Sequence, residues 1–431
     1  MTTVTSPGAS YQLCASCGNR YGDRDSAPRC VSCGGLLELV HPVPALRGAD
    51  LRAIFAARRG DGPGSSSSSG VWRYQELVLP NAADHVVSHP EGNTPLLARE
   101  RASAYAGVSN LLLKHEGHNP TGSFKDRGMT VGVTQARRIG ARAVACASTG
   151  NTSASLAAYA AQAGIPALVF VPAGQVASGK LAQSLAYGAR TLLVNGDFDA
   201  CLALVQQASE RLGIYLLNSI NPFRVEGQKT IAIEALEQLG WDAPDWLALP
   251  AGNLGNTAAF GKALREVYEL DLIERVPRIA AVQAAGAAPF ASSFRDGFTT
   301  RPKVKAETVA TAIRIGDPAS FDRAVQAIRY TNGVVTTVSD AEILDAKAVI
   351  DASGVGCEPA SAASVAGVRR LVGEGIIRPS DRVVAVLTGH VLKDPGALLR
   401  YHQELSPRPE FANPPVEIEP TLDAVERVIG D

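Results

Sequence analysis

The sequence has almost no excess of charge. Lysine and arginine number 41, aspartate and glutamate 42, and the formal net charge is −1. That balance argues against a broadly basic surface for nucleic acid. Long apolar runs are also missing, and none approaches the about 18 residues that would span a bilayer. The opening residues, Met1-Thr2-Thr3-Val4-Thr5-Ser6-Pro7, lack the basic stretch and apolar run of a secretory leader. No internal repeat is present. A cytoplasmic protein is therefore expected, with no membrane or nucleic-acid partner; a homodimer is also expected. Cysteine is sparse, at seven residues, and four of them fall near the N-terminus. That distribution fits a reducing compartment and a metal site better than a disulfide framework.

The four are spaced as two pairs. Cys14-Ala15-Ser16-Cys17 is followed, after twelve residues, by Cys30-Val31-Ser32-Cys33. Glycine trails each pair (Gly18, then Gly34 and Gly35) and lets the backbone turn tightly. Two such knuckles can place four thiolates tetrahedrally, the soft closed set that zinc takes. The spacing predicts a structural zinc ribbon over residues 1–40 with ligands Cys14, Cys17, Cys30 and Cys33. No open coordination position is offered, so catalytic zinc is not expected. Arg20, Arg24 and Arg29 are balanced locally by Asp23 and Asp25, which weakens any basic patch.

Hydrophobic residues make up 46% and charged residues 19% of 431, enough for a large core in two or three units. Residues 41–70 read as a linker ending in a flexible, low-complexity serine run, Ser65 to Ser69, with a short helix over 50–59. From 71 onward, short strand-like runs alternate with helical runs of about 10–15 residues, which predicts an α/β fold with parallel-rich sheets. Strands are expected at 111–114, 143–147, 167–171, 191–194, 214–217, 246–249, 279–283 and 383–387. Among the helices, one is expected at 124–139 and a single one over 226–239. The number of units implies two lobes with a cleft, a large one from 71–115 and 225–405 and a small one from 116–224. Residues 289–308 break the rhythm and read as a surface segment. The tail, 406–431, is rich in proline and glutamate, with a last helix expected from Thr421.

Four loops stand out, each after a predicted strand, where open α/β sheets bind ligands. The first, NPTGSFKDRG at 119–128, places Lys125 at a helix start, where lost hydration can turn an ammonium into a nucleophilic amine. Ser148, Thr149, Gly150, Asn151 and Thr152 open another helix and suit a carboxylate or phosphate, though plain N-capping reads as well. Gly252-Asn253-Leu254-Gly255-Asn256 is a candidate anion nest or a tight turn. It is not the GxGxxG fingerprint, and no Walker lysine follows it. Asn218, Ser219 and Arg224 gather amide, hydroxyl and guanidinium in one loop, and arginine is the bidentate partner of phosphate. Taken together, two anion nests, an arginine and a lysine suggest two phosphates near an amine. Pyridoxal 5′-phosphate is the cofactor that wants a lysine and a phosphate nest.

The motifs resemble the threonine-synthase family of fold type II (tryptophan-synthase-β-like) pyridoxal-phosphate enzymes. They are NPTGSFKDRG at 119–128, STGNTSAS at 148–155, NSINPFRVEGQKT at 218–230 and GNLGN at 252–256. ATAIRIG at 310–316, CEPASAAS at 357–364 and TGHVLKDP at 388–395 belong to the same set, and the likeness runs from about 71 to 401. The CxxC pair resembles a zinc ribbon that opens some members. The resemblance implies conversion of O-phospho-L-homoserine and water to L-threonine and phosphate, a carbon–oxygen lyase reaction. Lys125, preceded by Phe124, would carry the cofactor and move protons. Asn151 would meet the cofactor's 3′-oxygen, Thr388 its ring nitrogen, and Gly252, Asn253, Leu254, Gly255 and Asn256 its phosphate. Ser148, Thr149 and Thr152 would meet the substrate carboxylate or phosphate. Asn218, Ser219 and Arg224 would bind the substrate phosphate. Leu254, Val391 and His118 depart from the family pattern, the first two at places where bulk could crowd the cofactor. A threonine or serine dehydratase needs no second phosphate site. A cysteate synthase would keep one. A non-catalytic paralogue with an interaction ribbon would have lost Lys125 or the nest.

Overall fold

The computed structural model describes residues 9–62, 64–174 and 178–430. The opening residues 1–7, Pro63 of the linker and Asp431 of the tail lie outside the described residues. Three sheets organise the rest. The first is small and antiparallel, in the order β2-β1-β3, from β1 (Tyr11–Cys14), β2 (Arg20–Gly22) and β3 (Leu37–Val40). Its two CxxC turns close through Gly18 and Gly34. Their N–H groups donate to the carbonyls of Cys14 and Cys30 at 3.0 and 2.8 Å, and both glycines have positive φ, 74° and 72°, which a side chain would strain.

The second sheet has four parallel strands in the order β8-β7-β6-β9. They are β6 (Ala143–Ala147), β7 (Ala167–Pro172), β8 (Arg190–Val194) and β9 (Ile214–Leu216). The third has six, in the order β12-β11-β10-β13-β5-β4. Its strands are β4 (Leu96–Ala98), β5 (Asn110–His115), β10 (Trp246–Pro250), β11 (Arg278–Ala284), β12 (Val334–Val338) and β13 (Arg382–Leu387). All its pairings are parallel except β4 with β5. Central strands such as β6 (AVACA) and β10 (WLALP) are buried at every residue, as expected of parallel sheets covered on both faces by helices.

One buried ion network joins the helices to the six-stranded sheet. The Glu234 carboxylate, on the helix Thr230–Gln238, accepts from Lys114 of β5 at 2.5 Å and from Arg127 at 2.9 Å. It also accepts the N–H groups of Asn93 and Thr94. Arg127 is held by Glu116 as well, at 2.7 and 2.8 Å. Burial would raise the Glu234 pKa, but Arg127 and Lys114 hold it well below the carboxylate range. Beside this network the helices Lys125–Arg138 and Pro222–Gln228 touch backbone to backbone. A Cβ on Gly227 would lie 1.7 Å from the Arg127 carbonyl oxygen.

The structure departs from the expectations at several places. The single helix expected over 226–239 is two, Pro222–Gln228 and Thr230–Gln238. The first starts early because Asn221 caps it, accepting the N–H of Phe223 at 3.0 Å, and Pro222 supplies the preset φ of a first helical position. The expected surface segment at 289–308 contains the helix Pro289–Arg295 with Phe290 fully buried. The side-chain carbonyl of Gln283 caps this helix, taking N–H groups from Phe290 and Ala291. An aromatic cluster of Phe290, Phe294, Phe298 and Phe321 fills the space around it. The serine run is not loose at its end either. Ser69 is buried, accepts the N–H groups of Val71 and Trp72, and leads into Gly70, where a Cβ would lie 2.0 Å from Glu234. The strand β12 and the helix Phe321–Tyr330 lie where the sequence carries no clear alternation.

Candidate active site

A cavity of about 820 Å³ opens at the C-terminal ends of strands from both parallel sheets. Ser148 follows β6, Asn218 follows β9, Gly252 follows β10 and Thr388 follows β13, and all four line it. This is the position a parallel sheet offers a ligand. Lys125 is the first residue of the helix Lys125–Arg138 and lines the same cavity. Its approach is fixed on both sides. Gly122 takes a φ of 83°, and the Asp126 carboxylate accepts the N–H and hydroxyl of Thr121, each at 2.7 Å. The Phe124 N–H donates to the Thr388 carbonyl at 3.0 Å, tying the helix start to the end of β13. Burial, then the nearby Arg224 guanidinium, lower the Lys125 pKa to about 7, while Glu358 pulls it the other way. Near neutrality a large share of this amine is therefore unprotonated and nucleophilic.

The glycine-rich loop is a cradle. Leu254 sits at φ 63° and caps the helix Gly255–Glu269, which turns the helix N-terminus into the cavity. A Cβ on Gly252 would lie 2.9 Å from the Ile313 backbone, so only glycine fits. The buried Asn256 Oδ1 and Thr257 Oγ1 have no partner. Helix-start amides and a left-handed turn suit a phosphate, whereas the Asn256 Oδ1 is an acceptor and would face a donor instead. Leu254 packs into a buried hydrophobic core and also borders the cavity. Asn253 is anchored at both ends of its amide, donating to Ser219 Oγ at 2.5 Å and accepting from the Ala319 N–H at 2.6 Å.

Opposite the cradle, Asn151 donates from Nδ2 to the Glu358 carboxylate at 3.0 and 3.3 Å. Thr388 Oγ1 lies 3.1 Å from Ser361 Oγ and 3.4 Å from the same carboxylate. Asn218 pairs with both backbone groups of Ala147 at 3.0 and 3.1 Å, locking the loop after β9 to the end of β6. Ser148, Thr149, Thr152 and Ser219 complete that wall. Every residue expected at the site lines this one cavity, with one exception. Arg224 lies behind the wall, 1% exposed. Its Nη1 donates to the Leu217 carbonyl at 3.0 Å, and its Nε and Nη2 have no partner. Burial lowers its pKa to about 10.

Glu358, Lys393 and Gln183 also line the cavity, and sequence reasoning passed over all three. Lys393 donates to the Gln183 side chain, which in turn donates to the Thr121 carbonyl at 3.2 Å. The two motifs that contain Glu358 and Lys393 were visible, but nothing in their spacing marks these side chains as facing the cavity. Away from the cavity, the Sγ atoms of Cys14, Cys17, Cys30 and Cys33 lie within 4.8 Å of one another. A tetrahedral zinc with sulfur at about 2.3 Å needs sulfurs roughly 3.8 Å apart. The Cys14–Cys33 and Cys17–Cys30 pairs stand at 3.5 and 3.6 Å, so the set fits such an ion. Among the described residues no helix is long and apolar enough to cross a membrane.

Comparison with known proteins places these features in a family. Residues 87–389 match the model of the family described as pyridoxal-phosphate dependent enzymes. A threonine synthase of Methanocaldococcus jannaschii is 43% identical over 422 residues, covering 97% of this chain and 99% of its own length. A threonine synthase of Mycobacterium tuberculosis is 49% identical over 321 residues, 74% of this chain and 87% of the relative. Among solved structures, threonine synthase from Escherichia coli aligns over 97% of this chain and 99% of its own, with a TM-score of 0.70 at 17% identity. Maize serine racemase aligns over 74% and 92%, with a TM-score of 0.62 at 22% identity. At those identities the two structures speak for the fold.

Proposed function

The chain belongs to the pyridoxal-phosphate dependent enzymes and, among them, to the threonine synthases, and from that premise we propose how its own residues carry the reaction. The activity is conversion of O-phospho-L-homoserine and water to L-threonine and phosphate. When bound, pyridoxal 5′-phosphate would supply the electron sink for negative charge at the substrate carbons. The Gly252–Asn256 cradle would hold its phosphate, Asn151 its 3′-oxygen, Thr388 its ring nitrogen and Lys125 its carbonyl carbon, with Phe124 alongside.

Lys125 is the catalytic residue. With a pKa near 7 its amine can take the substrate's α proton and later return protons as the carbon skeleton changes. Ser148, Thr149 and Thr152 sit where hydroxyls and helix-start amides can grip the substrate carboxylate. Asn218 and Ser219 would bind the substrate phosphate, and Arg224 would back them with charge. Its two unpartnered N–H groups are then donors held in reserve behind the wall, and a small closing of the loop after β9 would bring them to the leaving phosphate. The bridge from Lys393 to Gln183 spans two lining residues of the cavity and would help exclude stray water. Cys14, Cys17, Cys30 and Cys33 hold a structural zinc in this reading.

The observation that carries the proposal is the meeting of a buried amine, its pKa lowered to about 7, and a glycine-rich helix-start loop in one cavity. The test is threonine and phosphate formation from O-phosphohomoserine by the wild-type chain beside Lys125→Ala. Wild type should be yellow and active, and the variant should lose both properties. A wild-type chain that stays colourless with added cofactor would overturn the reading.

A further inference from the structure

Of the described residues lining the cavity, Glu358 is the one carboxylate. A negative charge is out of place in a pocket built to hold phosphates, and a buried one is costly unless it is partnered. Capping does not account for it. Glu358 occupies the N-cap position of the helix Pro359–Gly373, yet its side chain makes no capping hydrogen bond. The carboxyl turns into the cavity instead and lies 4% exposed.

Its partners there are the two side chains already assigned to the cofactor ring. Asn151 Nδ2 donates to Oε2 at 3.0 Å and to Oε1 at 3.3 Å, and Thr388 Oγ1 stands 3.4 Å from Oε1. Asn151 belongs to the helix that follows β6 of the four-stranded sheet, and Thr388 follows β13 of the six-stranded sheet. One carboxyl therefore spans both halves of the site. Gly389 leaves room for it, since a Cβ there would lie 2.5 Å from the carboxyl carbon. The Glu358 N–H donates to the Gly389 carbonyl at 3.0 Å, and Ser361 Oγ accepts the Gly389 N–H at 3.0 Å, so the backbone on both sides is fixed.

We propose that Glu358 is a positioning residue of this active site, a single carboxyl that holds Asn151 and Thr388 together and so fixes the two side chains that would meet the cofactor's 3′-oxygen and ring nitrogen. The inference rests on the cofactor reading above. It gives Glu358 a second effect, on Lys125. The charged and titratable groups around the cavity are Lys125, Lys393, Arg314 and His390, with Arg224 behind the wall and Asp126 on the Lys125 helix. Burial pushes the Glu358 pKa up, and Lys393 and Lys125 oppose that rise. To the extent that Glu358 is ionised it stabilises the Lys125 ammonium, so removing its charge leaves the amine neutral at lower pH.

The experiment uses the full-length chain, freed of cofactor and reloaded with pyridoxal 5′-phosphate, as wild type, Glu358→Gln and Glu358→Ala. Cofactor affinity is read by the visible absorbance, and the rate of uptake is followed against pH. Glu358→Ala should weaken cofactor binding about tenfold or more, the worth of a hydrogen bond to a charged group. Glu358→Gln keeps the shape, so its affinity should fall less. The pH midpoint of its uptake should move to lower pH, a change that a purely structural role would not produce. Wild-type affinity and an unmoved midpoint in both variants would overturn the proposal. A wild-type chain that takes up no cofactor would instead sink the cofactor reading beneath it, so the two failures are distinguishable.

Discussion

Replacing Gly227 by alanine tests whether the site depends on the close contact of two helices. Gly227 lies three residues after Arg224 on the helix Pro222–Gln228, and faces the backbone of Arg127 two residues after Lys125. The added methyl would stand 1.7 Å from the Arg127 carbonyl oxygen, 2.5 Å from its carbon and 3.0 Å from the Gly128 Cα. An ordinary carbon–oxygen contact needs about 3.3 Å. The helices must therefore part by roughly 1.5 Å, and neither side offers a flexible side chain to absorb the change. Over-packing of this kind costs about 1–3 kcal/mol, and a clash with backbone on both sides belongs at the upper end. Gly373→Ala is the control. It is also helical, but its Cβ would meet no atom within 4 Å, and it should be neutral or gain about 0.5 kcal/mol from helix propensity. The assay is denaturation of both variants beside wild type, with KM for O-phosphohomoserine measured on the same samples. Gly227→Ala should lose about 3 kcal/mol and raise KM, because the Arg224 helix shifts from the loop proposed to hold the substrate phosphate. Equal stability of the two variants, with KM unchanged, would refute the packing argument.

The remaining predictions concern charge and metal. Glu234→Gln leaves Lys114 and Arg127 in a buried site short of one negative charge, and should cost about 3–5 kcal/mol in a denaturant titration. Because the folded pKa of Glu234 lies below its ordinary 4.5, its contribution is complete above that value and lost as pH falls through the acid range. Thermal stability measured at descending pH should drop there, and less steeply in Glu234→Gln. Cofactor uptake by the cofactor-free chain should rise with pH around a midpoint near 7, as the Lys125 ammonium gives up its proton; stopped-flow absorbance would show it. Elemental analysis should find one zinc per chain. A strong chelator or Cys14→Ser should remove it and lower the melting temperature, as expected if an ion holds four sulfurs that lie within 4.8 Å of one another.

Much of this was legible in the sequence because it is local. The CxxC pairs and their trailing glycines specify tight knuckles, and these form as the spacing requires. Buried parallel strands are continuous apolar runs, so β6, β7, β10 and β13 stand out, and ligand loops must follow their ends. Lys125, Asn151 and Gly252 stand in such loops, whereas Thr388, also just past a strand end, enters only through the family resemblance. Strand β12, with its VVTTV pattern, and the helix holding Phe290 were harder to read. Their burial comes from β11 and from aromatic partners elsewhere in the chain.

The tertiary structure alone decided what each side chain faces. Arg224 reads as a phosphate ligand from its loop, yet its helix is pressed so closely on the Lys125 helix that the guanidinium sits behind the wall with two N–H groups free. Glu358 reads as one acid in a run of small residues, and only the folding of β13 beside its helix brings it to Asn151, 207 positions away in the chain. The lowered pKa of Lys125 has the same origin. The sequence by itself determined which chemical groups stand at the strand ends, because strand and turn formation depend on near neighbours. Burial and charge pairing depend on residues brought together from distant parts of the chain, and no local pattern records them.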